Sequence, residues 1–156
     1  MVIILCGPSG VGKTTIAKSL DVVVPTALTT RPKRHCSEEI INTQLFPPEA
    51  ERALYVTYGN NDYIITKSEM QRCMSSGKRV LVVAAGDGIL QLRRQYKCIV
   101  VYIYSMTTFE KRRPVNHELE AWHVDICDFA VDRMRAVPFL ETLLQFSDVK
   151  GIHSVL

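Results

Sequence analysis

The residues from Gly7 to Thr14 carry the side chains and the spacing that bind a phosphate chain. The segment reads Gly-Pro-Ser-Gly-Val-Gly-Lys-Thr and matches the pattern GxxxxGK[ST] at every fixed position. Gly10 and Gly12 permit backbone angles that turn successive N–H groups toward phosphate oxygens. Lys13 supplies a cation for the terminal phosphates, and the Thr14 hydroxyl is a ligand for the accompanying Mg²⁺. The predicted ATP-binding residues are therefore Gly7, Ser9, Gly10, Val11, Gly12, Lys13, Thr14 and Thr15, with Thr14 as the metal ligand.

A phosphate loop of this kind occurs in kinases, in GTPases and in ATPases that drive motion, so other features must decide between these classes. The chain has no Asn-Lys-x-Asp segment to read a guanine base in the manner of a GTPase. Its 156 residues leave little room for the sensors and added domains of a motor ATPase. We therefore expect a small-molecule kinase that uses ATP and Mg²⁺.

The sequence around the loop predicts alternating strands and helices. Continuous apolar runs at 2–6, 80–85 and 98–104 are typical of parallel strands covered on both faces. Helix signals lie at 13–20, at 66–74 with the capping box Thr66-x-x-Glu69, at 89–95 and at 109–113. This alternation predicts an α/β fold of the three-layer P-loop NTPase type with a mainly parallel central sheet.

Two irregular segments interrupt the alternation. Residues 26–63 contain three prolines, an apolar run at 54–56 and a turn-like Gly-Asn-Asn-Asp, which together indicate an inserted lobe with a small hairpin. Residues 114–125 are a candidate lid, and they precede an amphipathic segment that contains Phe129, Met134, Val137, Leu140 and Leu144. We predict a single domain whose parts are a core at 1–25 and 77–156, a lobe at about 26–66 and a lid at about 112–130.

The composition excludes several other classes of protein. Hydrophobic residues make up 47% of the chain and charged residues 22%, which is ordinary for a globular domain. Nineteen Lys and Arg against 16 Asp and Glu give a net charge of +3, too mild for a surface that coats nucleic acid. We expect small-molecule nucleotides as partners, neither nucleic acid nor a membrane, and a monomer or homodimer.

The cysteines and the apolar runs bear on the compartment. The five cysteines form no CxxC pair, so buried, reduced thiols are expected rather than a disulfide framework or a zinc site. No stretch approaches 18 apolar residues, and no basic segment precedes the run at 2–6. A cytoplasmic location is the expectation.

The lobe and the second half of the chain resemble guanylate kinases. Residues 29–34, Thr-Thr-Arg-Pro-Lys-Arg, resemble the TTRxxR signature of that family. Gly59-Asn60 followed by Tyr63, Thr66 and Lys67 is similar to its G-N-Y-Y-G-T-S-K segment. Three further segments are similar to segments of the family and follow in the same order. They are 76–81 (Ser-Gly-Lys-Arg-Val-Leu), 88–93 (Gly-x-x-Gln-Leu-Arg) and 132–134 (Asp-Arg-Met).

The resemblance implies transfer of the γ-phosphoryl group of ATP to a nucleoside monophosphate, such as GMP or dGMP. Arginines three residues apart, Arg31 and Arg34, can form forked hydrogen bonds to one acceptor phosphate, and Tyr63 can donate a further one. The expected acceptor-binding residues are Arg31, Arg34, Tyr63, Thr66 and Asp87. The expected catalytic residues are Lys13, Arg34, Arg112, Arg113 and Arg133. A solvated helix face is an equally good interpretation of Arg112 and Arg113.

The residues that read guanine in the family have no counterpart here. Ala27 stands where the family has a serine, and Ala53 stands where it has a glutamate. The family's acid-apolar-acid segment is replaced by Val-Ala-Ala at residues 83–85. A guanine site needs acceptors for the N1 and N2 hydrogens, and the favoured substitute is Asp87. Three hypotheses follow: a diverged guanylate kinase, a kinase of the same fold for another deoxy or modified nucleotide, and a non-catalytic protein-binding module. The complete phosphate loop argues against the module.

Overall fold

The computed structural model describes residues 1–34, 36, 40–105 and 126–146. Its central sheet contains the strands β1 (Val2–Cys6), β2 (Val22–Val23), β7 (Arg79–Val83), β8 (Cys98–Tyr104) and β9 (Phe129–Asp132). They lie in the order β2-β7-β1-β8-β9. Every neighbouring pair is parallel. The phosphate loop follows β1, the middle strand, and so lies at the carboxyl edge of the sheet, where α/β proteins bind ligands.

The apolar runs form strands because helices and loops cover both faces of the sheet. Every residue of β1 is buried. Val2, Ile4 and Cys6 belong to the core on one face, whereas Ile3 and Leu5 belong to the core on the other. Alternate side chains of a strand point to opposite faces, so a strand in the middle layer is apolar throughout. The predicted three-layer α/β fold is confirmed.

Four helices flank this sheet in the described parts of the chain, namely α1 (Lys13–Lys18), α2 (Lys67–Met74), α3 (Asp87–Gln95) and α4 (Ala136–Leu144). The predicted cap of α2 is present, since Thr66 Oγ1 accepts a hydrogen bond from the Glu69 amide at 3.1 Å. The Glu69 carboxylate does not return to Thr66. It accepts instead from the Thr26 amide at 2.8 Å and from the Arg72 guanidinium.

A second, smaller sheet lies between β2 and α2 in the chain. Its strands are β3 (Ala27–Thr29), β4 (Ile40–Asn42), β5 (Arg52–Tyr58) and β6 (Asn61–Thr66), and a 3₁₀ turn at Glu49–Glu51 precedes β5. The order is β4-β3-β6-β5, with β5 and β6 forming an antiparallel hairpin. Its turn residues Gly59 and Asn60 have φ of 55° and 62°, the left-handed angles that a tight hairpin turn requires.

Several predicted boundaries are wrong. The strand predicted at 80–85 ends at Val83, because the chain turns at Gly86 (φ 54°) into α3, which begins at Asp87 rather than at residue 89. The first helix ends at Lys18 instead of residue 20.

The amphipathic segment after the candidate lid also differs from its interpretation. It begins with the strand β9, and Met134 is 80% exposed rather than part of a core. The helix predicted at 109–113 and most of the candidate lid lie outside the described residues.

The cysteines are free, as predicted, but their burial differs. Cys6 and Cys73 are buried, Cys98 and Cys127 are partly buried, and Cys36 is exposed. Within the described ranges, no helix has the length and apolar character needed to cross a membrane.

Candidate functional site

The phosphate loop is wound tightly between β1 and α1. Gly7, Gly10 and Gly12 have φ of 137°, 80° and 103°, values that L-residues with a side chain rarely adopt. The Val11 amide donates to the Pro8 carbonyl at 3.2 Å. The Val11 side chain is 1% exposed and belongs to the core. The loop is therefore anchored by its apolar residue, while its glycines supply the turns.

Lys13 crosses the loop that precedes it. Its Nζ donates to the Gly7 carbonyl at 2.6 Å and to the Pro8 carbonyl at 2.8 Å. The ammonium group is thus held over the backbone of the loop, where phosphate oxygens would lie between it and the N–H groups. Directly before the loop, burial raises the pKa of the Cys6 thiol to about 12.

The loop opens onto a cavity of about 1000 Å³. Residues 9–16 form one side of this donor cavity, and Arg34, Arg133 and Met134 form the other. Lys13, Arg34 and Arg133 are thereby brought together from three distant parts of the chain. Three cations around one cavity favour a multiply charged anion.

A second cleft, of about 520 Å³, lies between the small sheet and the carboxyl edge of the central sheet. We call it the acceptor cleft. Gly7, Ser9 and Lys13 line it at one end, and Asp87 lies on it at the first turn of α3. Ser9 and Lys13 line the donor cavity as well. The two cavities therefore share Ser9 and Lys13.

Comparison with known proteins was made on sequence and on structure. No family model matches the chain. A curated guanylate kinase from Thermotoga maritima is 30% identical over 114 residues, which is 65% of this chain and 55% of that protein. The chain thus spans about half the length of the curated relative it matches. The crystal structure of guanylate kinase from Anaplasma phagocytophilum superposes with a TM-score of 0.67 at 16% identity, over 94% of this chain and 87% of that one.

The chain is similar in sequence to one guanylate kinase and shares its fold with another. The resemblance drawn from its motifs is confirmed by the sequence match, and the fold is confirmed by the structural one.

The two arginines of the segment at 29–34 have different surroundings. Arg31 Nε donates to the Tyr63 hydroxyl at 3.1 Å, and Tyr63 lines the acceptor cleft. The Arg31 amide donates to the buried Thr29 hydroxyl at 3.1 Å, which fixes the turn that carries it. Arg34 instead lines the donor cavity. Arg31 thus contacts a residue of the acceptor cleft, whereas Arg34 itself lines the donor cavity.

Other predicted site residues are placed as follows. Asp87 lines the acceptor cleft, and its Oδ2 accepts from Gln91 Nε2 at 2.7 Å. Thr66 does not line either cavity, because its hydroxyl is engaged in capping α2. Arg112 and Arg113 lie outside the described residues.

The wall of the acceptor cleft is largely apolar. Ala27, Ala84 and Ala85 line it, together with Leu54, Val56, Ile65 and Val83. Ala53, which replaces the family's glutamate, is 1% exposed and does not line the cleft. At Ala27, Ala84 and Ala85 the wall thus presents methyl groups, so acceptors for a guanine base would come from other lining residues such as Thr57 and Asp87.

Sequence reasoning missed several cleft residues. Tyr55, Thr57 and Tyr58 line the acceptor cleft from β5. Met134 lines the donor cavity beside Arg133. Tyr and Thr are common in β-strands, so the sequence of β5 gave no distinct signal for the first group. No local pattern pointed to Met134.

Proposed function

We propose that this chain is an ATP-dependent nucleoside monophosphate kinase. The observation that carries the proposal is the position of Lys13, whose side chain lines both the donor cavity and the acceptor cleft. In the transfer, the bond from the γ-phosphorus to the leaving ADP oxygen breaks, and a bond to an oxygen of the acceptor phosphate forms. A cation at the junction can balance charge on both sides of that in-line exchange.

Each of the other cations has a place in this scheme. Backbone N–H groups of the loop hold the ATP phosphates, and Arg34 and Arg133 face the same cavity from the opposite side. Arg31 and Tyr63 hold the acceptor phosphate. Arg112 and Arg113 are proposed lid cations. Such groups act by position and charge, since phosphoryl transfer requires little covalent chemistry from the protein.

The residues also fit a magnesium nucleotide rather than a metal held by protein alone. In the described parts of the chain, no cluster of three His, Cys, Asp or Glu side chains can hold a metal ion. Mg²⁺ binds at sites of this kind through few protein ligands and several phosphate oxygens, which is the arrangement that the Thr14 hydroxyl beside the phosphate loop would supply. When bound, the ion neutralises phosphate charge.

We further propose that residues of about 26–66 act as the lobe that binds the monophosphate, with a lid at about 112–130 and a core at 1–25 and 77–156. The second sheet and the acceptor cleft support the lobe, because β3, β5 and β6 all contribute to the cleft wall.

A second candidate concerns the base. The apolar wall at Ala27, Ala84 and Ala85 favours a kinase for a monophosphate other than GMP, or for several of them, over a strict guanylate kinase. Sites that hydrogen-bond a group reject its absence by about 10⁴ or more, whereas apolar pockets discriminate by about 10². We expect the ratio of kcat/KM between GMP and the best other monophosphate to stay below about 10².

The test is a coupled assay of ADP release with Mg·ATP and each common ribo- and deoxyribonucleoside monophosphate. Lys13→Ala should remove activity, and Lys18→Ala is its control because Lys18 is an exposed lysine of α1 that lines neither cavity. Acceptor-dependent ADP release that Lys13→Ala abolishes supports the proposal. No acceptor-dependent release by the unaltered protein would leave the non-catalytic module as the function.

A further inference from the structure

The outer edge of β5 is completed by side chains of α3 instead of by a strand. In the small sheet β5 is the last strand, paired only with β6. Gln91 of α3 approaches its other edge. Gln91 Oε1 accepts from the Tyr55 amide at 2.8 Å, and Gln91 Nε2 donates to the Tyr55 carbonyl at 2.7 Å. The side-chain amide therefore bonds both backbone groups of one residue, as a neighbouring strand would.

The same amide group contacts a second residue of the acceptor cleft, Asp87. Gln91 Nε2 also donates to Asp87 Oδ2 at 2.7 Å. Its oxygen faces an N–H group and its NH₂ faces two acceptors, so only one orientation of the amide satisfies all three contacts. Tyr55 and Asp87 both line the cleft, one on each side of this link.

Apolar packing holds the helix and the strand at a close distance. A Cβ atom built on Gly88 would lie 2.9 Å from Leu54 Cδ1 and 3.1 Å from Val56 Cγ1. The absence of a side chain at Gly88 lets α3 pack directly on two residues that line the cleft. The position of β5 is thus set both by this contact and by the Gln91 amide one turn later.

We propose that Gln91 is a positioning residue that fixes the β5 wall of the acceptor cleft and the Asp87 carboxylate relative to each other. The inference rests on the proposed function in so far as the cleft binds a nucleoside monophosphate. Gln91 itself touches neither phosphate-loop residues nor the donor cavity. Its effect is therefore confined to the acceptor side.

The test compares Gln91→Ala with Gln95→Ala. Gln95 is the same residue type one turn further along α3, and its Nε2 donates to the Ala53 carbonyl of β5 at 2.7 Å without contact to Tyr55 or Asp87. We expect Gln91→Ala to speed hydrogen exchange at the Tyr55 amide by roughly tenfold or more, since that amide bonds Gln91. We expect the acceptor KM to rise by roughly tenfold, with the ATP KM changed less than about twofold. Gln95→Ala should leave both quantities within about twofold of the unaltered protein.

A third variant keeps one contact of the link and removes the other two. Gln91→Glu keeps an acceptor for the Tyr55 amide but has no hydrogen to donate to Asp87 or to the Tyr55 carbonyl at neutral pH. Gln91→Glu should therefore protect the Tyr55 amide from exchange better than Gln91→Ala does and still raise the acceptor KM. A Tyr55 amide that exchanges equally in Gln91→Ala and the unaltered protein would overturn the inference whatever the activity. An acceptor KM unchanged in both Gln91 variants would overturn the positioning role, and a lack of any acceptor phosphorylation by the unaltered protein would instead refute the proposed function.

Discussion

Substitution of Gly7 by alanine should destabilise the fold, because the phosphate loop begins in direct contact with the neighbouring strand. Gly7 has a φ of 137°, and a Cβ atom added there would lie 2.2 Å from the Ile103 carbonyl oxygen. A carbon and an oxygen without a bond between them normally stay more than about 3 Å apart. The obstructing atom belongs to the backbone of β8, between β1 and β9, so it cannot rotate away as a side chain would.

Two costs add in this variant. A residue with a side chain at such a φ costs about 1–3 kcal/mol, and forcing extra volume into a packed site costs about 1–3 kcal/mol. We expect Gly7→Ala to lose about 2–6 kcal/mol of unfolding free energy. Gly77→Ala is the control for the first cost alone, since Gly77 has a φ of 81° but no atom within 4 Å of its built Cβ. A loss of about 1 kcal/mol is expected there.

The measurement is urea unfolding of the unaltered protein and both variants, followed by circular dichroism and compared at equal m-values. A Gly7→Ala variant that is no less stable than Gly77→Ala would refute the close contact between the loop and β8.

Three further predictions follow from the hydrogen bonds and cavities. The Arg72 hydrogen bonds, with those from Thr26, lower the pKa of Glu69 to about 2, so its stabilisation is complete above its unfolded pKa of about 4.5 and is lost as pH falls toward 2. Urea unfolding should therefore show Glu69→Gln less stable than the unaltered protein by about 1–2 kcal/mol at pH 6. This is less than the whole pKa shift would give, because the Arg72 side chain is 60% exposed and solvent screens the interaction. A stability difference that does not shrink by pH 3 contradicts this prediction. Arg31→Ala should raise the acceptor KM by about tenfold or more with a nearly unchanged ATP KM, and the reverse pattern would misplace the acceptor cleft. Arg34→Ala should lower kcat by at least about tenfold, because Arg34 lines the donor cavity, and single-turnover kinetics that match the unaltered protein would remove it from catalysis.

The elements with strong local signals were predictable from the sequence. The strand before the phosphate loop, the cap at Thr66 and the turn at Gly59 and Asn60 each depend on residues adjacent in the chain. A strand of a parallel sheet is covered on both faces and is therefore apolar at nearly every position, which is the pattern of β1 and β8. The glycines of the phosphate loop fix its backbone angles in the same local way.

Features that depend on distant contacts were not predictable. β9 is four residues long, and it is a strand because it pairs with β8, not because of its own pattern. Arg31 contacts Tyr63 of the acceptor cleft and Arg34 lines the donor cavity. This difference depends on the turn at Thr29 and on the packing of the lobe. The role of Gln91 follows from the approach of α3 to β5, and its position in a family-like motif gave no indication of it.

The measurement that most directly tests the central claim is transfer of label from γ-³²P-ATP to a nucleoside monophosphate, with the products separated by chromatography. The kinase account predicts labelled nucleoside diphosphate that requires both Mg²⁺ and an acceptor and that disappears in Lys13→Ala. Label found only in inorganic phosphate, or labelled diphosphate formed equally well by Lys13→Ala, would contradict it.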